Sequence, residues 1–167
     1  MLIRSESPAD ILPIEALLKS VFDTEAEANL VQRLRENGNR TLALVACNDD
    51  GEVIGYAFFS PVTLDGQDDN WQGLAPMAVS PAYQGQGIGQ AMMEEAKQTL
   101  AELGYPVVVV LGHSEYYPKA GFEPAVNHGL QCQWPVPEEA FMVLELIPGT
   151  LAGRQGTIAY CEEFSAL

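Results

Sequence analysis

The stretch Leu74-Ala-Pro-Met-Ala-Val-Ser-Pro-Ala-Tyr-Gln-Gly-Gln-Gly-Ile-Gly89 decides how this 167-residue chain is read. Trp71–Val79 has the composition of a strand. Pro76 interrupts it, removes a ladder donor, and predicts a bulge or a splayed strand. Gln84–Gly89 is a glycine-rich turn in which Gly85, Gly87 and Gly89 let backbone N–H groups point toward one place. A helix is predicted directly after it, with Ile88, Met92, Ala96, Leu100 and Leu103 on one face and Gly104 as its stop. Its unpaired N-terminal N–H groups and positive dipole end complete a cradle for a phosphate. No Lys or Arg lies between Arg40 and Lys97, so an anion held here rests on backbone amides.

Two better-known phosphate loops fail on residues. A Walker A loop needs Gly-Lys-Ser/Thr, and here Gly89 is followed by Gln90-Ala91. A Rossmann fingerprint needs GxGxxG, and Gln90 stands where its third glycine belongs.

Working outward, Val107–Leu111 is a continuous apolar run and predicts a strand buried on both faces. Tyr116–Ala120 reads as one helical turn ending at Gly121. Phe141–Leu146 and Thr157–Tyr160 are later strands. Toward the N-terminus, Leu2-Ile3-Arg4 can start a strand, and Ser7-Pro8-Ala9-Asp10 has the form of a helix start. Ile11, Ile14, Leu17, Leu18 and Val21 follow at helical spacing. A second helix begins near Thr24, continues through Leu30, Val31 and Leu34, and ends at Asn37-Gly38. Thr41–Cys47 and Glu52–Val62 are strands joined by a turn at Asn48–Gly51. With no repeat and no linker, one α/β domain over residues 1–167 is the economical reading, with its core in 1–125 and residues 126–167 completing the sheet.

Composition narrows the function. Hydrophobic residues make up 47% of the chain, enough for a real core. The net charge of −15 argues against binding nucleic acid or an anionic membrane, both of which call for Lys and Arg. No apolar run reaches the roughly 18 residues of a membrane span. Cys47, Cys132 and Cys161 form no CxxC pair, so no metal site is expected. Their odd number and the lack of a signal-peptide pattern lead us to expect a reducing, cytoplasmic setting.

Val79-Ser-Pro-Ala-Tyr-Gln-Gly-Gln-Gly-Ile-Gly89 resembles the acetyl-CoA loop of the GNAT superfamily, whose pattern Gln/Arg-x-x-Gly-x-Gly/Ala is met by Gln84, Gly87 and Gly89. A second element of that family, Tyr-x-x-x-Gly-Phe after a strand, is met by Tyr117, Gly121 and Phe122. Tyr116-Tyr117 and the segment Pro137–Leu146 are similar to the YhbS-like branch of predicted bacterial N-acetyltransferases. The resemblance implies a mixed, mostly antiparallel sheet with a splayed pair of strands and helices on both faces. It implies an acetyl-CoA-dependent N-acetyltransferase in which a primary amine attacks the acetyl thioester directly. Met77, Ala78 and Val79 would bond the pantetheine arm. Gln84, Gly85, Gln86, Gly87, Ile88, Gly89 and Gln90 would hold the pyrophosphate. Tyr117 would donate a proton to the leaving sulfur.

Other assignments stay open. Asp23, Glu27, Glu52 and Glu115 are candidate general bases without a motif behind any of them. His113 follows the buried strand and has a pKa range suited to proton transfer, whereas His128 reads as structural. Lys119 could approach the cofactor phosphates or be a plain surface lysine. Many relatives carry a cation inside the phosphate loop where this chain has Gln86. A catalytically silent acyl-CoA sensor is therefore the competing reading, and an O-acyltransferase or a transferase of longer acyl groups is a third. Trp134, Pro135 and Pro137 lie where relatives complete the acceptor side. A monomer and a homodimer are both compatible with the sequence.

Overall fold

A computed structural model describes residues 1–166 of the chain. Continuous apolar runs build its central strands, which are buried on both faces, and apolar spacing of three and four builds its helices. β1 (Leu2–Ser5) is followed by α1 (Ile11–Val21) and α2 (Ala26–Glu36). β2 (Leu42–Cys47), β3 (Val53–Pro61), β4 (Thr63–Leu64) and β5 (Gln72–Val79) lead into α3 (Ile88–Glu102). β6 (Val107–Leu111), β7 (Glu123–Pro124), β8 (Leu130–Cys132), β9 (Phe141–Glu145) and β10 (Gly156–Ala159) complete the fold.

Seven strands form one sheet in the order β1-β2-β3-β5-β6-β9-β7, and β4-β10-β8 form a second, smaller one. In the large sheet every pair is antiparallel except β5–β6, which is parallel. The sheet separates two cores. On one face α3 presents Ile88, Met92, Met93, Ala96 and Leu100 to Leu42, Leu44, Phe59 and Leu74. On the other, α1 and α2 bury Ile14, Leu17, Leu18, Leu30, Val31 and Leu34 against Val45, Tyr56 and Phe58. In β6, Val107 and Val109 enter the second core, and Val108 and Val110 the first. That is the strand buried on both faces that its unbroken valine run predicts.

Several boundaries differ from the sequence reading. The helix start at Ser7 is a separate 3₁₀ turn, Pro8–Asp10, before α1 begins. The Ser7 N–H donates to Asp10 Oδ2 at 2.8 Å, but Arg4 also binds both oxygens of Asp10, so the carboxylate ties β1 to the helix entry. Arg4, and then the Ser7 bonds after the opposing effect of burial, hold Asp10 well below the usual carboxylate range. β4, β7 and β8 are strands of two or three residues with no readable pattern of their own. No helix among the described residues is long and apolar enough to cross a membrane.

Candidate functional site

The site begins where β5 leaves β6. The two strands pair only over Gln72↔Val108, Gly73↔Val109 and Leu74↔Val110. Pro76 follows at once, and β5 continues against β3 alone, with Met77↔Ala57, Ala78↔Tyr56 and Val79↔Gly55 in register. The Ser80 N–H donates to Ile54 O at 2.8 Å. Antiparallel alternation then turns the backbone groups of Ala78 toward β3, and those of Met77 and Val79 toward the open side. Of the bulge or splay expected from Pro76 both occur: the register against β3 shifts between Ala57 and Phe59, and beyond it β5 keeps a free edge of known direction. Gln84 crosses it, its Nε2 donating to Val79 O at 3.0 Å. The Gln84 side chain therefore anchors the loop to the strand.

The glycine loop closes the far end. Gly85 and Gly87 have φ of +78° and +81°, the left-handed region that favours glycine. A Cβ at either would meet no atom within 4 Å, so both positions combine a required backbone conformation with open space in front. Gly87 is the N-cap of α3, and the first turn of the helix carries no acidic side chain. Its free N–H groups and dipole face the cleft, as an anion site requires.

The opposite wall comes from the exit of β6. The edge of the Tyr117 ring packs on Gly112, where a Cβ would come within 2.6 Å of Cε2. Its ring meets Phe122 edge-on at 5.7 Å and Tyr116 at 5.1 Å. A Cβ at Gly89 would collide with the Tyr116 hydroxyl, which therefore sits on the first turn of α3. Gln90 Nε2 fixes this contact by donating to Tyr116 O at 3.1 Å. Burial, and after it Tyr116, pushes the Tyr117 phenol up to about 12. Burial also raises Tyr116. Among the described residues the hydroxyls of Tyr56 and Tyr83 are hydrogen-bonded, while those of Tyr116 and Tyr117 have no protein partner.

Together these walls enclose a cleft of about 610 Å³, within the range of small-molecule sites. It brings together Met77, Ala78, Val79, Gln84, Gly85, Gly87, Ile88, Gly89, Gln90, Tyr116 and Tyr117, with His113 and Lys119 at its edge. Gln86, grouped with them on sequence, is exposed and does not line the cleft. Val21 and Phe22 at the end of α1, and Tyr83 in the loop, also line it. Sequence reasoning missed these three because nothing in their local pattern distinguishes them from core residues.

Of the candidate bases, Asp23, Glu27, Glu52 and Glu115 all lie outside the lining. Glu52 instead accepts from Asn48 Nδ2 in the β2–β3 turn. Glu27 keeps one carboxylate oxygen buried without a partner. His128 pairs with Glu123 at 3.0 Å, in keeping with a structural histidine. No group of three or more His, Cys, Asp or Glu among the described residues is placed to hold a metal ion.

Comparison with known proteins fits this geometry. Residues 39–124 match the family model of the acetyltransferase (GNAT) domain. The chain is 47% identical over 165 residues, 99% of each protein, to the uncharacterized N-acetyltransferase YhbS of Escherichia coli strain K12. It superimposes on the crystal structure of E. coli YhbS in complex with CoA with a TM-score of 0.95, covering 98% of this chain and 91% of that one. A GNAT family acetyltransferase from Brucella melitensis in complex with acetyl-CoA is 33% identical, with a TM-score of 0.82 over 98% of this chain and 97% of that one. The splayed strand, the glycine loop at the start of α3 and these full-length likenesses agree: the chain belongs to the GNAT acetyltransferase family.

Proposed function

We propose that the protein transfers an acetyl group from acetyl-CoA to a primary amine by direct attack within a ternary complex. The observation that carries this reading is the free edge of Met77 and Val79, which runs into the N-terminus of α3 with Tyr117 on the opposite wall. The relatives crystallised with CoA and acetyl-CoA support it.

The residues fit such a cofactor. The outward backbone groups of Met77 and Val79 can bond the pantetheine amides as another strand would. The amides of Gly85 and of Gly87 to Gln90 can hold the pyrophosphate without a cation. Lys119 is the lysine at the edge of the cleft and adds a modest attraction for phosphate. Acetyl-CoA, when bound, supplies the activated thioester. The attacking nitrogen must be neutral, although an alkylamine has a pKa of roughly 10. An outward N–H of β5 can stabilise the oxyanion that develops at the carbonyl. Tyr117 Oη, unbonded and protonated across the neutral range, can donate its proton to the departing sulfur.

The test is a screen of primary amines with acetyl-CoA, following thiol release and acceptor mass. The reading predicts turnover with at least one amine. It also predicts that Tyr117→Phe lowers kcat by about 100-fold or more while KM for acetyl-CoA stays within a factor of about 2. A Tyr117→Phe enzyme with unchanged kcat contradicts the role given to Tyr117. Saturable cofactor binding without turnover on any amine would turn the reading toward the acyl-CoA sensor.

A further inference from the structure

The glycine loop holds no cation, and the side chain that reaches it from the far wall of the cleft is a tyrosine. The first bond within α3 runs from the Ala91 N–H to Gly87 O at 3.0 Å. The N–H groups of Ile88, Gly89 and Gln90 precede it and have no helix carbonyl to meet. Tyr116 brings one more donor to the same place. A Cβ on Gly89 would collide with the Tyr116 oxygen and lie 3.1 Å from its Cζ, so this hydroxyl takes the position of a side chain on the first turn. The Met77 methyl lies 3.7 Å from the same point, which places the hydroxyl where the α3 and β5 walls approach each other. The ring is held there: Gln90 Nε2 donates to Tyr116 O at 3.1 Å, and the Tyr117 ring meets it edge-on. The hydroxyls of Tyr56 and Tyr83 are hydrogen-bonded, but that of Tyr116 has no partner among the described residues. Donors that converge without an acceptor describe a site for an oxygen-rich anion. Lys119 and His113, the cleft residues able to carry positive charge, stand exposed at its edge.

We propose that Tyr116 is a cofactor-binding residue: its hydroxyl donates a hydrogen bond to the diphosphate of CoA at the start of α3, opposite the loop amides. This rests on the reading that the cleft holds CoA, and it names a side chain that does part of the work of the absent cation. A hydrogen bond to a charged acceptor is stronger than one between neutral groups. A phenol makes it without adding a charge that would itself have to be desolvated in the empty cleft. Burial raises the Tyr116 phenol, so it keeps its proton and remains a donor across the neutral range. The two adjacent tyrosines then divide the cofactor between them, Tyr116 at the diphosphate and Tyr117 at the sulfur. Gln90 has two parts in this arrangement. Its N–H belongs to the free first turn, and its side chain pins the Tyr116 carbonyl.

The test is calorimetry of CoA binding to the wild type and to Tyr116→Phe, joined to phosphorus NMR of the bound CoA. Tyr116→Phe keeps the ring and removes the donor. It should weaken CoA binding about tenfold. The loss should persist at high salt, because a neutral donor is not screened as an exposed charge is. The diphosphate resonances of bound CoA should differ between the two proteins, while the 3′-phosphate resonance stays in place. A loss of less than about threefold overturns the proposal. So does a larger loss with the diphosphate resonances unmoved, which would put the hydroxyl on the pantetheine arm or give it a purely structural role. If Tyr116→Phe does not fold, 3-fluorotyrosine is placed at position 116 of the otherwise unaltered chain and titrated with ADP, which carries the diphosphate and lacks the arm. The fluorine resonance must then move, and a flat response overturns the proposal. No binding of CoA by the wild type would instead overturn the cofactor reading itself, and the role of Tyr116 with it.

Discussion

Tyr56 and Tyr160 are buried in the same core, on the same face of the sheet. Tyr56 Oη donates to Glu6 Oε1 at 2.7 Å and accepts from Arg35 at 3.2 Å, while Tyr160 Oη has no partner among the described residues. Around Tyr56 the polar groups are mutually satisfied: Glu6, with its side chain 2% exposed, also binds Arg35 at 2.6 Å and Arg40 at 2.7 Å. Near the splay, the Tyr116, Tyr117 and Tyr160 hydroxyls have no partner among the described residues, and on the Met77–Val79 edge Val79 O is met by the Gln84 side chain. The first region joins β1, α2 and β3 into a rigid platform. The second keeps its hydrogen-bonding capacity for something that is not part of the chain.

The two regions should therefore respond differently to mutation. The largest effect is expected at Glu6. Glu6→Ala leaves Arg35 partly buried without its carboxylate and should cost about 3 kcal/mol of stability, read from urea unfolding. CoA affinity of the folded fraction should not change. Acid sharpens the same point. Burial pushes Glu6 up, but its bonds to Arg35, Tyr56 and Arg40 outweigh this and hold it below its ordinary value of 4.5. A lowered carboxylate contributes its full stability above the unfolded pKa and loses it as pH falls through the folded one. Wild-type stability should therefore drop with acidity below about pH 4.5. Glu6→Gln should show a shallower drop, with the part due to Asp10 remaining.

At the splay the expectation reverses sign. Tyr160→Phe removes an unpaired buried oxygen and keeps the ring, so it should raise stability by about 1 kcal/mol in urea. A loss of that size would mean that the hydroxyl is satisfied in solution and that the two regions are alike. The smallest effect is expected at Lys119. Lys119→Ala should weaken CoA binding only about threefold at low salt and less at high salt, measured by calorimetry.

How much of this the sequence discloses follows from the range of each interaction. The glycine loop is legible because Gly85 and Gly87 answer a local backbone demand and the helix starts one residue later. The two-faced burial of β6 is legible because four consecutive valines state it. Pro76 discloses that β5 is interrupted, but not that it parts from β6 after Leu74, since that depends on a strand more than thirty residues away. β4, β7 and β8 are too short to carry a period and exist only through long-range pairing. Tyr160 was read as a strand residue. Its seat against β5 depends on the missing side chain of Gly73, which sequence spacing does not reveal. Gln86, chosen for its place in the loop, is exposed and does not line the cleft, because adjacency in sequence does not fix which way a loop residue faces.

The central claim is that the open edge of β5 and the N-terminus of α3 together hold CoA. Calorimetry of acetyl-CoA binding to the wild-type protein and to Gly87→Trp in one buffer tests it most directly. The account predicts saturable binding by the wild type and a loss of affinity of about 100-fold or more in Gly87→Trp, with far-ultraviolet circular dichroism unchanged. Equal affinity in both proteins, or no binding by the wild type at millimolar acetyl-CoA, would contradict it.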